Sequence, residues 1–91
     1  MKIYTPEELQ QELSSMEGWS VKNEAIEKTF QFVDFKEALG FIVRVGLLAD
    51  QADHHPELMN VYNKVVIRLN THSEKAITSK DVELAREIGK I

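Results

Sequence analysis

The chain has 91 residues, 11 Lys plus Arg against 15 Asp plus Glu, a formal charge of −4 and no cysteine. That length supports one small domain, residues 1–91, and so short a chain buries only about 60–65% of its unfolded surface, which favours self-association. The acidic balance and the lack of any Lys/Arg cluster argue against direct nucleic-acid binding. Without cysteine there are no disulfides, zinc–thiolate sites or thiol nucleophiles. No apolar run approaches the roughly 18 residues of a membrane helix, and the N-terminus holds no signal-peptide core. A soluble, cytoplasmic protein is expected.

Residues 4–16 read as a first helix. Thr5 is a good N-cap, Pro6 fits the first helical position and Glu8 completes a capping box, with Tyr4 and Leu9 spaced for a hydrophobic staple. Leu9, Leu13 and Met16 share a narrow stripe, and Gly18 marks the stop. Residues 19–33 read as a hairpin that turns at Asn23-Glu24. Its second strand places Ile26, Lys28, Phe30 and Phe32 on one side.

Asp34 starts the longest helix, with Glu37 as capping partner and an end near Asp50 or Ala52. Phe35, Leu39, Ile42, Gly46 and Ala49 form one stripe, and Phe41, Val45 and Leu48 form a second beside it. A face that wide covers a sheet and has apolar surface left for a partner subunit, with Phe41 and Leu48 expected on the exposed part. Gly40 and Gly46 read as close-packing points. Pro56 keeps His55 out of helical geometry. A strand over 58–62, a turn at Asn63 and a strand over 64–72 follow. The last buries Val65, Ile67 and Leu69, with His72 at its end on the face of Val66, Arg68 and Asn70. Thr78 caps a final helix with Asp81 in the third position and Val82, Ala85 and Ile88 inside. The order helix-strand-strand-helix-strand-strand-helix predicts an α+β fold. A four-stranded antiparallel sheet carries helices on one face.

The chemistry is concentrated around residues 50–57. Two of the three histidines, His54 and His55, stand together between the acidic residues Asp50, Asp53 and Glu57. Adjacent residues in an extended segment point apart, so they suit two walls of a pocket better than joint ligation of a metal. Imidazole titrates at about pH 6.5 and can give or take a proton, and a neighbouring carboxylate can fix its tautomer. The competing reading makes both histidines solvated loop residues, His72 a half-exposed strand end and Asp81 a helix cap. Asp81 shares a face with Leu84, Ala85 and Ile88, which leans it toward the pocket. Asp50 sits near a helix C-terminus, where the dipole does not favour a carboxylate.

The run Ala52-Asp53-His54-His55-Pro56-Glu57, followed by Asn60-Val61-Tyr62-Asn63-Lys64-Val65, Thr71-His72, Thr78-x-x-Asp81 and Glu83-Leu84-Ala85, resembles the pterin-4a-carbinolamine dehydratase family. With the helix order, the likeness covers nearly the whole chain. It implies dehydration of a 4a-hydroxytetrahydropterin to the quinonoid dihydropterin, without metal or organic cofactor. His54, His55 and His72 are then the catalytic histidines. His54 and His72 form the acid/base pair, and His55 binds or orients. Asp50, Asp53, Pro56 and Asp81 bind substrate or orient the imidazoles. Family members form dimers or tetramers, often through the long helix, and in animals also serve as a dimerisation cofactor of a homeodomain transcription factor. This chain departs at Leu58 and Met59, where the family commonly has aromatic residues. That departure motivates the alternative of a non-catalytic dimerisation or assembly module with a vestigial pterin pocket.

Overall fold

A computed structural model describes residues 1–91. Its elements are α1 (Pro6–Leu13), β1 (Ser20–Lys22), β2 (Ala25–Gln31), α2 (Phe35–Ala52), β3 (Glu57–Val61), β4 (Lys64–Leu69), a single 3-10 turn (His72–Glu74) and α3 (Ser79–Ile88). The strands form one antiparallel sheet in the order β1-β2-β4-β3. The two hairpins are joined through β2 and β4, leaving β1 and β3 as edges. The expected α+β architecture and element order are both present.

Capping chemistry explains where the helices begin. Thr5 and Glu8 bond reciprocally at α1, and Thr78 and Asp81 do the same at α3. Lys2 adds a hydrogen bond to Glu8 and, with the backbone of Thr5, holds its carboxyl down at about 2. At α2 the box is displaced. Glu37 N–H donates to Asp34 Oδ1, but the Glu37 carboxylate accepts from Val33 N–H one residue further out. The β1–β2 turn is Asn23-Glu24, both at positive φ, the backbone that two-residue hairpins require.

The core lies between the sheet and its helices. Ile26, Val65, Ile67 and Leu69 from the sheet meet Ala38, Phe41, Val45 and Ala49 from α2 and Val82, Ala85 and Ile88 from α3. Strand alternation explains β4, where Val65, Ile67 and Leu69 have no exposure. No helix is long and apolar enough to cross a membrane.

Several boundaries and faces differ from expectation. Helix α1 ends at Leu13 rather than Met16, because the Ser14 and Ser15 hydroxyls take the carbonyls of Gln11 and Glu12. Met16 and Trp19 are still buried beyond it. Gly18 therefore ends no helix. It has φ +85°, and a Cβ there would stand 2.8 Å from Lys28 Cε. Helix α2 is rotated from the predicted stripe. Phe41 packs against Phe30 and Phe32 at centroid distances of 4.7 and 4.8 Å, so it is core and not a partner surface. Leu48 is half-buried. Phe35 and Leu39 instead join Val43 and Leu47 in an exposed apolar stripe. A methyl group at Gly40 or Gly46 would meet nothing within 4 Å, so neither is a close-packing point within the chain. Finally, His72 does not end a strand. Thr71 N–H bonds Ala76 O at 2.9 Å and Lys75 takes φ 51°, which folds residues 71–76 into a tight loop.

Candidate active site

The end of α2 decides where the two adjacent histidines go. Asp53 adopts the left-handed conformation (φ 50°, ψ 43°). Asp53 N–H then reaches Asp50 O at 3.2 Å, and His54 N–H reaches Ala49 O at 3.1 Å. This pair of bonds is the Schellman closure of a helix C-terminus, and it ties the His54 backbone to the helix. Pro56 holds His55 extended. The result sends His54 inward, 9% exposed, and His55 outward.

His54 meets the most buried charge in the molecule. Its Nε2 lies 2.5 Å from Oδ1 of Asp81, which has no exposure. Oδ2 of Asp81 accepts from Thr71 Oγ1 at 2.8 Å and from Thr78 N–H at 2.9 Å. The hydroxyl of Thr71 has one proton, already given to Asp81. The 2.7 Å contact between the two threonine hydroxyls therefore has Thr78 as donor. Thr78 Oγ1 accepts in turn from Lys80 N–H. Each donor in this chain has one destination, and Oδ1 is left to receive a proton from His54. The proton of neutral His54 then sits on Nε2 and the lone pair on Nδ1. No protein group bonds Nδ1, and no polar side-chain atom is both sealed from solvent and unpartnered, so Nδ1 reaches the surface. His54 lines a cavity of about 450 Å³ between α2 and α3, with Leu48, Gln51, Lys80, Glu83 and Leu84.

His55 and His72 share a different cavity. It measures about 160 Å³ and is walled by Asn23, Glu24, Ala25, Glu57, Arg68 and Asn70. His55 Nε2 bonds Asp50 Oδ1 at 2.9 Å on the surface. His72 is exposed, and its ring has no protein hydrogen-bond partner. Arg68 forms the floor, bonding Glu27 at 2.8 Å and Glu57 at 3.0 Å. Glu27 first and Glu57 second push its guanidinium above the ordinary arginine range.

The three histidines thus divide between two cavities that flank the 54–57 segment. The sequence paired His54 with His72. In the structure His55 and His72 line one cavity and His54 lines another. Asp81 is hydrogen-bonded to the His54 ring and Asp50 to the His55 ring. Asp53 shapes the backbone and lines neither cavity, and the same is true of half-buried Pro56. Sequence reasoning paired Thr78 with Asp81 as a helix cap but missed Thr71 as a partner of Asp81. The available signal was two threonines bracketing a short loop before a buried aspartate. It also missed Arg68 and Asn70, whose alternation marks only a wet strand face.

The fold and site define a small α+β protein with its three histidines at two cavities. Within that class, the chain belongs to the pterin 4 alpha carbinolamine dehydratase family, whose model matches residues 2–91. A protein of Sulfurisphaera tokodaii, provisionally named a pterin-4-alpha-carbinolamine dehydratase, is 48% identical over 91 residues, spanning 100% of this chain and 98% of its own. A Sulfolobus acidocaldarius protein of the same provisional name is 46% identical over 84 residues, 92% of each chain. A solved structure described as a transcriptional coactivator/pterin dehydratase from Brucella melitensis superposes with TM-score 0.92 at 39% identity, over 97% of this chain and 96% of that one.

Asp81→Asn tests the buried network. It removes one acceptor and leaves a buried donor unpaired, so unfolding in urea should show a loss of about 1–3 kcal/mol. Stability within about 0.5 kcal/mol of wild type would contradict the hydrogen-bond assignment.

Proposed function

We propose that the protein dehydrates a 4a-hydroxytetrahydropterin to the quinonoid dihydropterin, as a cytoplasmic hydro-lyase in recycling of a tetrahydrobiopterin-type cofactor. The observation that carries this reading is the free Nδ1 lone pair of His54, set by Asp81, beside a second cavity that holds two further histidines. A base removes the N5 proton, the N5 electron pair forms the C4a=N5 double bond, and the C4a–O bond breaks. The departing hydroxyl takes a proton from an acid and leaves as water. The nitrogen lone pair drives expulsion, so two proton-transfer groups suffice.

His54 is the base, because its tautomer leaves Nδ1 open. His72 is the acid, because no protein group competes for its ring. His55, held by Asp50, orients the pterin at the rim. The cavity of about 160 Å³ is smaller than the roughly 300–1,000 Å³ of ordinary ligand sites, so in this reading the pterin is only partly enclosed there and must reach beyond it to meet His54. Leu58 lies on edge strand β3, 41% exposed, and lines neither histidine cavity, so its departure from the family's aromatic residue leaves both cavity walls unchanged. Dehydration of freshly generated substrate, followed by absorbance, should be accelerated by wild type. It should fall about 10²–10⁴-fold in His54→Ala and in His72→Ala, with His55→Ala raising KM more than it lowers kcat. No acceleration by the folded wild type would remove the enzymatic reading in favour of an assembly module.

A second reading concerns self-association, and the exposed stripe Phe35, Leu39, Val43 and Leu47 on α2 favours it. Residues four apart on one helix form a continuous ridge, which suits packing against the same helix of another copy in a homodimer or homotetramer. Light scattering should give an oligomeric mass for wild type and a monomeric mass for Val43→Glu. A monomeric wild type at working concentration would contradict this reading.

A further inference from the structure

The β1–β2 turn is held by Arg68 of β4, a strand that pairs with β2 but not with β1, and by Asn70 just beyond its end. Strand β2 lies between β1 and β4. Even so, three successive carbonyls of the turn are bonded from the β4 side. Arg68 Nη1 donates to Lys22 O at 3.2 Å, Arg68 Nη2 to Asn23 O at 3.1 Å, and Asn70 Nδ2 to Glu24 O at 2.6 Å. Arg68 and Asn70 are two apart, so both stand on the same face of the chain. To reach them, the turn folds over that face of the sheet. Ala25, which has the parity of the solvent-facing residues of β2, is covered to 3% exposure.

The folded turn is one wall of the cavity that His55 and His72 share. A two-residue hairpin tip with both residues at positive φ and no such bonds is a mobile surface feature. Here its carbonyls are fixed, and its position relative to His72 is fixed with them, since Asn70 stands two residues before that histidine. Arg68 gives Nε to Glu57, shares Nη1 between Glu27 and Lys22 O, and gives Nη2 to Asn23 O, so its charge is matched within the protein.

We infer that Arg68 and Asn70 are positioning residues that clamp the 22–24 turn as a fixed wall of the substrate cavity and thereby set substrate affinity. The inference rests on the proposed dehydratase reading for its substrate but not for its geometry. A clamp of this kind acts on binding and not on proton transfer, because neither side chain is required to move a proton.

Asn70→Asp keeps the shape and removes the donor toward Glu24 O. Kinetics on the dehydration reaction should show KM raised about tenfold, with kcat changed less than about threefold. Backbone 15N relaxation should show Asn23–Ala25 becoming mobile on the nanosecond scale while the rest of the sheet stays rigid. Arg68→Leu should give the same pattern more strongly, and Asn70→Asp keeps the test open if that variant does not fold. An unchanged KM in an active Asn70→Asp protein overturns the inference. A turn as ordered in Asn70→Asp as in wild type overturns it too, whether or not the wild type turns over a pterin. A wild type without turnover defeats the functional reading alone, and the relaxation data still decide the clamp.

Discussion

The fully buried carboxylate of Asp81 is the constraint on which the site depends. A carboxylate without solvent is costly unless its oxygens are hydrogen-bonded. Here the donors come from three parts of the chain: Thr78 N–H at the start of α3, the Thr71 hydroxyl at the end of the second hairpin, and His54 just after α2. One side chain therefore caps a helix, anchors the loop that carries His72 and fixes the orientation of His54. The same residue that a capping box would explain also joins three elements at one point. Removing the acceptor loosens all three connections together.

From that anchor the division of labour among the histidines follows. Asp53 turns the chain left-handed, and His54 goes in to Asp81 while His55 goes out to Asp50. The two imidazoles differ in what their nitrogens are free to do, although they are neighbours in sequence. His72 is delivered by the tight loop after Thr71 and stays without a partner on its ring. On the same side of the sheet, Arg68 and Asn70 bind the hairpin tip and make the wall opposite the histidines. The site is thus built from helix and strand ends that are tied by side-chain bonds, and not from long flexible loops.

Much of this was legible in the chain itself. Thr5, Asp34 and Thr78 announce helix starts because each offers an oxygen to an orphan N–H. Asn23-Glu24 announces a hairpin, and the alternation Val65, Ile67, Leu69 announces a half-buried strand. The rotation of α2 was not legible. Two adjacent apolar stripes fit the helical period equally well, and the choice was made by the Phe41 ring meeting Phe30 and Phe32, which are distant in sequence. The site residues came from motif resemblance, and their geometry did not. Which of two adjacent histidines turns inward depends on one left-handed residue at Asp53. The bond of Thr78 to Asp81 follows from local capping, but Thr71 reaches Asp81 through a loop closure that no local pattern displays. Arg68 looks like any solvated strand residue until the turn it binds is seen folded over it.

The central claim is that Asp81 sets the tautomer of His54. Histidine ring 15N chemical shifts, read through their long-range couplings to the ring protons, report which nitrogen carries the proton in each neutral imidazole. The account predicts His54 in the Nε2–H form, with Nδ1 showing the shift of a free lone pair. A Nδ1–H tautomer at His54, or rapid exchange between the two forms like that of an exposed histidine, would contradict it.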